Sequence, residues 1–132
     1  MPVIAPRPDH DDRFFWDGVA EGRLLVRACA DCGHVQHPPT PMCPACQSLR
    51  WEPREVTGRG TVLAWIASKH PSAPDAEPRI VVLVQLDDGP RLVANLYGAD
   101  TSWAINDLAV EATFVEIDGI RLPGFQPARG AA

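Results

Sequence analysis

No run of about eighteen apolar residues occurs in the 132-residue chain, which excludes a conventional membrane-spanning helix. The opening MPVIAPRPDHDD lacks a basic segment followed by an apolar one. No secretory leader is therefore expected, and the expected location is cytoplasmic. Lysine is almost missing: Lys69 is the only one, and the eleven arginines are scattered singly. A formal net charge of −5 without a basic cluster counts against general binding to a phosphate backbone. Gly58, Gly60 and the glycines elsewhere form neither a P-loop nor a dinucleotide fingerprint. Apolar residues still make up 45% of the chain, enough for a core and against global disorder.

What the chain does contain is concentrated. All four cysteines lie in CADCGHVQHPPTPMCPAC, as two Cys-x-x-Cys pairs separated by ten residues. In a reducing compartment this spacing predicts one tetrahedral zinc held by Cys29, Cys32, Cys43 and Cys46. Cys32-Gly33 and Pro44-Ala45 supply turn chemistry at the two knuckles. Mononuclear iron of the rubredoxin type is an alternative, because ligand type separates these metals poorly. Disulfides and a dithiol redox pair are others, but Pro38, Pro39 and Pro41 argue against the helix that a redox pair needs. Four sulfurs close the coordination sphere, so the expected metal is structural. His34 and His37 lie between the knuckles, with hydrogen bonding around the site or plain exposure as their expected roles.

Before the knuckles, DDRFFWDGVAEG predicts a helix over residues 13–21, capped by Asp11 or Asp12 and ended by Gly22. Phe15 and Val19 share one face, leaving Phe14 and Trp16 turned elsewhere. Strands are expected at residues 24–28 and 49–54, completing a ribbon unit over residues 1–55. From residue 56 to 127 the pattern is all β. VTGRGTVLAWIASKH is one long strand in which Gly58 and Gly60 suit a bend or bulge. RIVVLVQLD and RLVANLY follow, joined at Asp88-Gly89-Pro90. VEATFVEI alternates, with Val110, Ala112 and Phe114 on one face. Asp118-Gly119 is a two-residue hairpin signal leading into IRLPGF. Five strands with the main gap between the third and fourth suit an oligonucleotide-binding-type (OB) barrel. Residues 128–132 are expected to be a flexible tail or a truncation point.

FFWDGVAEGRLLVRACADCGHVQHPPTPMCPAC, VTGRGTVLAW and VVLVQLDDGPRLVANLYG together resemble the bacterial and archaeal zinc-ribbon and OB-fold family, long catalogued as a domain of unknown function. The resemblance covers about residues 12 to 127. It implies a mainly β fold: an N-terminal helix and a rubredoxin-like zinc ribbon, then a five-stranded OB-fold barrel. The family's ligands fall on Cys29, Cys32, Cys43 and Cys46. Asn106 stands where the family often has glycine before the fourth strand, and Ala109 near its usual proline. Asparagine tolerates a left-handed backbone, so the fold is not threatened.

The family also implies a role. Its members resemble accessory subunits found beside thiolase-like or lipid-transfer-like proteins acting on acyl-CoA thioesters. Some are joined to hot-dog-fold enoyl-CoA hydratases, including complexes that degrade steroid side chains with a thiolase-like aldolase. The expected function is thus a non-catalytic accessory subunit or domain, without membrane partners. An acyl-CoA binding module and a single-stranded nucleic-acid-binding protein are the alternatives.

The residues themselves offer no catalytic constellation. Lys69 and His70 end a strand at a loop mouth, Asp87 and Asp88 suit a turn, and His10 sits in a loose segment. Ser48, Ser68, Ser72 and Ser102 show no histidine or aspartate support. Among the four tryptophans, Trp65 is expected inside. Phe14, Trp16 and Trp103 are the candidates for a partner interface.

Overall fold

Five consecutive buried residues, Leu25–Cys29, make β1 the spine of the N-terminal half. The computed structural model describes residues 5–129. In it β1 is flanked by β2 (Val35–Gln36) and β3 (Trp51–Glu55), both antiparallel to it. Pro53 is tolerated because β3 is an edge strand, exposed along its whole length. The short β2 between the knuckles is an element that the sequence reading did not foresee.

Helix α1 (Arg13–Ala20) closes over this sheet with Phe15, Gly18 and Val19 buried, as the spacing predicts. Its end is a Schellman motif at Gly22 (φ 75°): the Gly22 N–H donates to the Val19 carbonyl and the Arg23 N–H to the Gly18 carbonyl. Its start corrects the sequence reading. Asp12 occupies the cap position, but no side chain there accepts from the helix. The Asp9 carboxylate instead accepts from the N–H groups of Asp11 (2.8 Å) and Asp12 (3.2 Å), while Asp12 accepts from the Asp9 N–H. Aspartates in a closely spaced set compete for the same donors, and here the interlocked turn outcompetes the cap.

The second half is a closed barrel of five strands: β4 (Arg59–Ser68), β5 (Arg79–Leu86), β6 (Arg91–Leu96), β7 (Ala109–Ile117) and β8 (Ile120–Pro127). Their order around the barrel is β4-β5-β6-β8-β7, returning to β4. The third and fifth strands pair in parallel and the others antiparallel, which is the OB arrangement. The predicted gap between the third and fourth strands forms turns that plug the barrel with Ile105 and Leu108. The left-handed residue in this plug is Asp107 (φ 66°), one place beyond Asn106. Its N–H donates to the Val62 carbonyl at 2.9 Å, a contact that selects the conformation. Asp118 (φ 55°) and Gly119 (φ 78°) turn the hairpin between β7 and β8 as expected.

The bulge expected near the glycines lies instead between Val62 and Ala64, leaving Leu63 exposed. Gly60 serves close approach: a Cβ there would stand 2.5 Å from the Gln85 carbonyl oxygen and 2.6 Å from Val84 Cγ1. Backbone on the neighbouring strand cannot yield cheaply. Gly60→Ala is expected to cost about 2 kcal/mol, read as a lower urea midpoint. An unchanged midpoint would show that the two strands do not approach this closely. Phe15, Val19, Leu24 and Val26 join the barrel interior in one continuous apolar cluster that reaches Phe125.

Candidate metal centre

The two knuckles repeat one backbone design. In the first, the Cys29 N–H donates to the His34 carbonyl (2.8 Å) and the Gly33 N–H to the Cys29 carbonyl (3.0 Å). In the second, the Cys43 N–H donates to the Ser48 carbonyl (2.9 Å) and the Gln47 N–H to the Cys43 carbonyl (2.8 Å). The fourth residue after each leading cysteine is left-handed, Gly33 at φ 80° and Gln47 at φ 67°. Turns of this shape aim both sulfurs of a pair, and two backbone N–H groups, to one side. The Asp31 and Cys32 N–H groups point at Cys29 Sγ from 3.4 and 3.5 Å.

All four sulfurs lie within 4.8 Å of one another, with Cys29 and Cys43 buried and Cys32 and Cys46 exposed. Cys29 Sγ stands 3.5 Å from Cys46 Sγ, and Cys32 Sγ 3.7 Å from Cys43 Sγ. A zinc with Zn–S bonds of about 2.3 Å puts its sulfurs roughly 3.8 Å apart, so these separations suit a tetrahedral ion. A disulfide needs about 2.05 Å, which removes that alternative. The electrostatics also call for a cation. The Cys32 N–H, with that of Asp31, draws the Cys29 thiol down to about 6. The Ser48 N–H pulls Cys46 the same way, yet Cys29 and the other two sulfurs push it up to about 12. Four crowded sulfurs cannot all ionise unless a positive charge sits among them.

Polar contacts brace the centre from outside. Ser48 Oγ donates to Asp31 and so ties the second knuckle to the first, and Arg50 Nη1 lies 3.4 Å from Asp31 Oδ1. Neither histidine joins the sulfur cluster. His34 is exposed and contributes its carbonyl. The His37 ring packs 4.8 Å from that of Phe15, where desolvation lowers its pKa.

The structure corrects one reading of the serines. Ser48 and Ser102 donate to Asp31 and Asp100, and Ser72 Oγ lies 2.6 Å from His70 Nδ1. None makes a nucleophile: His70 Nδ1 already accepts from the Ser72 N–H (3.1 Å), and all three serines bond within exposed local turns or the knuckle brace. Asp88 accepts from the Thr57 N–H (3.0 Å) and hydroxyl (3.3 Å), pinning the junction between ribbon and barrel. Lys69 Nζ donates to the Pro74 carbonyl.

Phe14, Trp16 and Trp103 are all partly buried and packed against the apolar core. The Phe14 ring packs tilted against that of Trp51, 4.7 Å between centroids, and the Trp51 ring also carries the Arg27 guanidinium at 5.8 Å. Trp65 is likewise packed against the core, as expected. The sequence reading missed Ile66 and Val93, exposed by 62% and 63%. A signal was available for their neighbours Val81 and Leu83: in VVLVQL every other residue would be polar if the outer side of the strand were solvated, and the register sets Ile66 and Val93 beside them.

A family profile described as the ChsH2 rubredoxin-like zinc ribbon domain matches residues 16–54, and one for the ChsH2 C-terminal OB-fold domain matches residues 53–115. A solved structure titled Ltp2-ChsH2(DUF35) aldolase contains a chain 36% identical to this one. The match covers 93% of this chain and 98% of that chain, with a TM-score of 0.84. The chain belongs to the ChsH2/DUF35 family of zinc-ribbon and OB-fold proteins. With the ribbon identified and the four sulfurs gathered, the centre is that of one structural zinc.

Other family members extend the comparison. A probable enoyl-CoA hydratase alpha subunit of Thermomonospora curvata is 37% identical over 130 residues, 96% of this chain and 41% of that protein. The 3-oxo-4,17-pregnadiene-20-carboxyl-CoA hydratase alpha subunit of Mycobacterium tuberculosis is 31% identical over 126 residues, 95% of this chain and 40% of that protein. This chain therefore spans about two fifths of the length of these hydratase subunits. A DUF35 domain-containing scaffold protein of Pyrococcus furiosus is 28% identical over 119 residues, 85% of this chain and 88% of that protein.

Proposed function

We propose that this protein is a non-catalytic accessory subunit or domain of an acyl-CoA enzyme. It binds and stabilises a thiolase-like or lipid-transfer-like subunit, and its relation to hydratase alpha subunits supports a link to an enoyl-CoA hydratase. The observation that carries this reading is the match over nearly the whole ChsH2(DUF35) chain of an aldolase whose name also includes Ltp2. The scaffold relative points the same way. A steroid side-chain substrate for the assembled enzyme is the finer proposal, supported by the pregnadiene-carboxyl-CoA hydratase relative. Cys29, Cys32, Cys43 and Cys46 hold the zinc, which keeps the ribbon folded and takes no part in the chemistry. A general acid or base needs a pocket that tunes and orients it, so the partner supplies the reacting groups. No helix of the described residues is long and apolar enough to cross a membrane, and we place the assembly in the cytoplasm.

Native mass spectrometry of the gently purified host protein tests this reading. The expected result is a defined heteromer with a thiolase-like subunit, whose thioester activity is lost when the two are separated and regained on mixing. A zinc-loaded monomer that binds acyl-CoA by itself would move the acyl-CoA module ahead and defeat the subunit reading.

A further inference from the structure

The outer surface of β4, β5 and β6 is apolar where a solvated strand would be polar. Alternation on β5 buries Ile80, Val82, Val84 and Leu86, so Val81 and Leu83 face outward. The register sets Ile66 beside Val81 and Val93 beside Leu83. These side chains floor a shallow groove of about 170 Å³. Beyond them on the same face lie Arg79 and Arg91, both exposed. The outward positions of the three strands carry no carboxylate. Among the described residues the ion pairs are made by Arg23 and Arg50; Arg91 Nε donates to the neutral Gln85 side chain at 3.3 Å, so the charges of Arg79 and Arg91 are left without a carboxylate partner.

We propose that this face is where the enzyme subunit docks, through an apolar patch of its own bordered by Asp and Glu. The inference rests on the accessory role proposed above and locates it on the fold. Charge decides the occupant. A second copy would set Arg79 against Arg79, or Arg79 against Arg91, in either two-fold apposition of the same face. Neither arrangement sets a carboxylate of these three strands against an arginine, and juxtaposed like charges select against it. An acid-bordered apolar surface satisfies both the aliphatic centre and the arginines at its margin. OB barrels present ligands to the surface of their second and third strands, and this groove lies there. Oligonucleotides need a series of aromatic platforms and a basic track, whereas this groove offers one aromatic, Trp65, which lines its edge half-buried and packs on the core.

The test uses the full chain co-expressed with an Ltp2-type subunit, with affinity measured by titration calorimetry. The variant carrying Ile66→Glu and Val93→Asp is expected to lose about thirtyfold or more in affinity, with zinc content and melting temperature unchanged. Arg91→Glu, which leaves the apolar centre intact, is expected to slow association and weaken its salt dependence. Leu49→Glu, an equally exposed apolar position on the ribbon, is the control and should bind normally. Full binding by both barrel variants would overturn the docking site while leaving the accessory role standing. Failure of the wild-type chain to bind any such subunit would overturn the role and the site together. A homodimer broken by Ile66→Glu and Val93→Asp would replace the acid-bordered partner with a second copy.

Discussion

Removal of zinc, by chelation or by Cys43→Ser, is expected to melt the ribbon. Residues 30–50 have almost no core to fall back on. β2 is two residues long, β3 is exposed throughout, and Cys43 is the one fully buried side chain of the second knuckle. What holds the knuckles over β1 is therefore the bond from each sulfur to a common ion. Structural zinc in small modules contributes about 10–16 kcal/mol at neutral pH, far more than any contact seen between these turns. The barrel is expected to suffer as well, because Phe15, Val19, Leu24 and Val26 belong to the cluster that fills it. Thermal unfolding with zinc analysis checks this: Cys43→Ser should carry less than one zinc per chain and melt far lower. Metal binding requires thiolates, so the stabilisation is present at neutral pH and is lost as acid protonates the sulfurs and expels the ion. A Cys43→Ser chain with full zinc and an unchanged melting temperature would refute the structural role.

Phe125→Ala is expected to cost about 3–5 kcal/mol, the second largest effect of a single change. Phe125 is 1% exposed and sits where the barrel closes. It pairs with Leu96 of β6 in parallel and with Ala112 of β7 in antiparallel register, and its carbonyl accepts from the Tyr97 N–H at 2.8 Å. The β6–β8 seam has only two residue pairs in register, so side-chain packing must add to its few hydrogen bonds to keep it shut. Truncation to alanine opens a cavity at that seam. Denaturant unfolding of the zinc-loaded protein measures the loss, with Val93→Ala on the outer face as a near-neutral reference. A loss under about 1 kcal/mol would mean that the seam is not held by this ring.

Much of the molecule is determined within short windows of sequence. The helix face of Phe15 and Val19, the Gly22 stop, the paired knuckles and the Asp118-Gly119 hairpin each depend on residues within about five positions of one another. Local geometry suffices for these, and the structure keeps them all. The five barrel strands follow from aliphatic and alternating runs, and the gap before the fourth strand places the OB crossover. The four cysteines identify the metal centre because tetrahedral thiolate ligation has few other uses for that spacing.

Tertiary structure decided what depends on distant partners. Asp107, not Asn106, turns left-handed because Val62, some forty-five positions away, offers the carbonyl its N–H requires. Gly60 is a matter of approach to Gln85 on the next strand. β2 exists because β1 presents a free edge for Val35 and Gln36 to pair with, a pairing that no two-residue pattern announces. VVLVQL carries only the Val81 and Leu83 part of the outer apolar face; strand pairing is what brings Ile66 and Val93 beside them. Sequence fixes what each residue can do over a few neighbours; packing chooses among those options, because burial and strand pairing are satisfied by residues far apart in the chain.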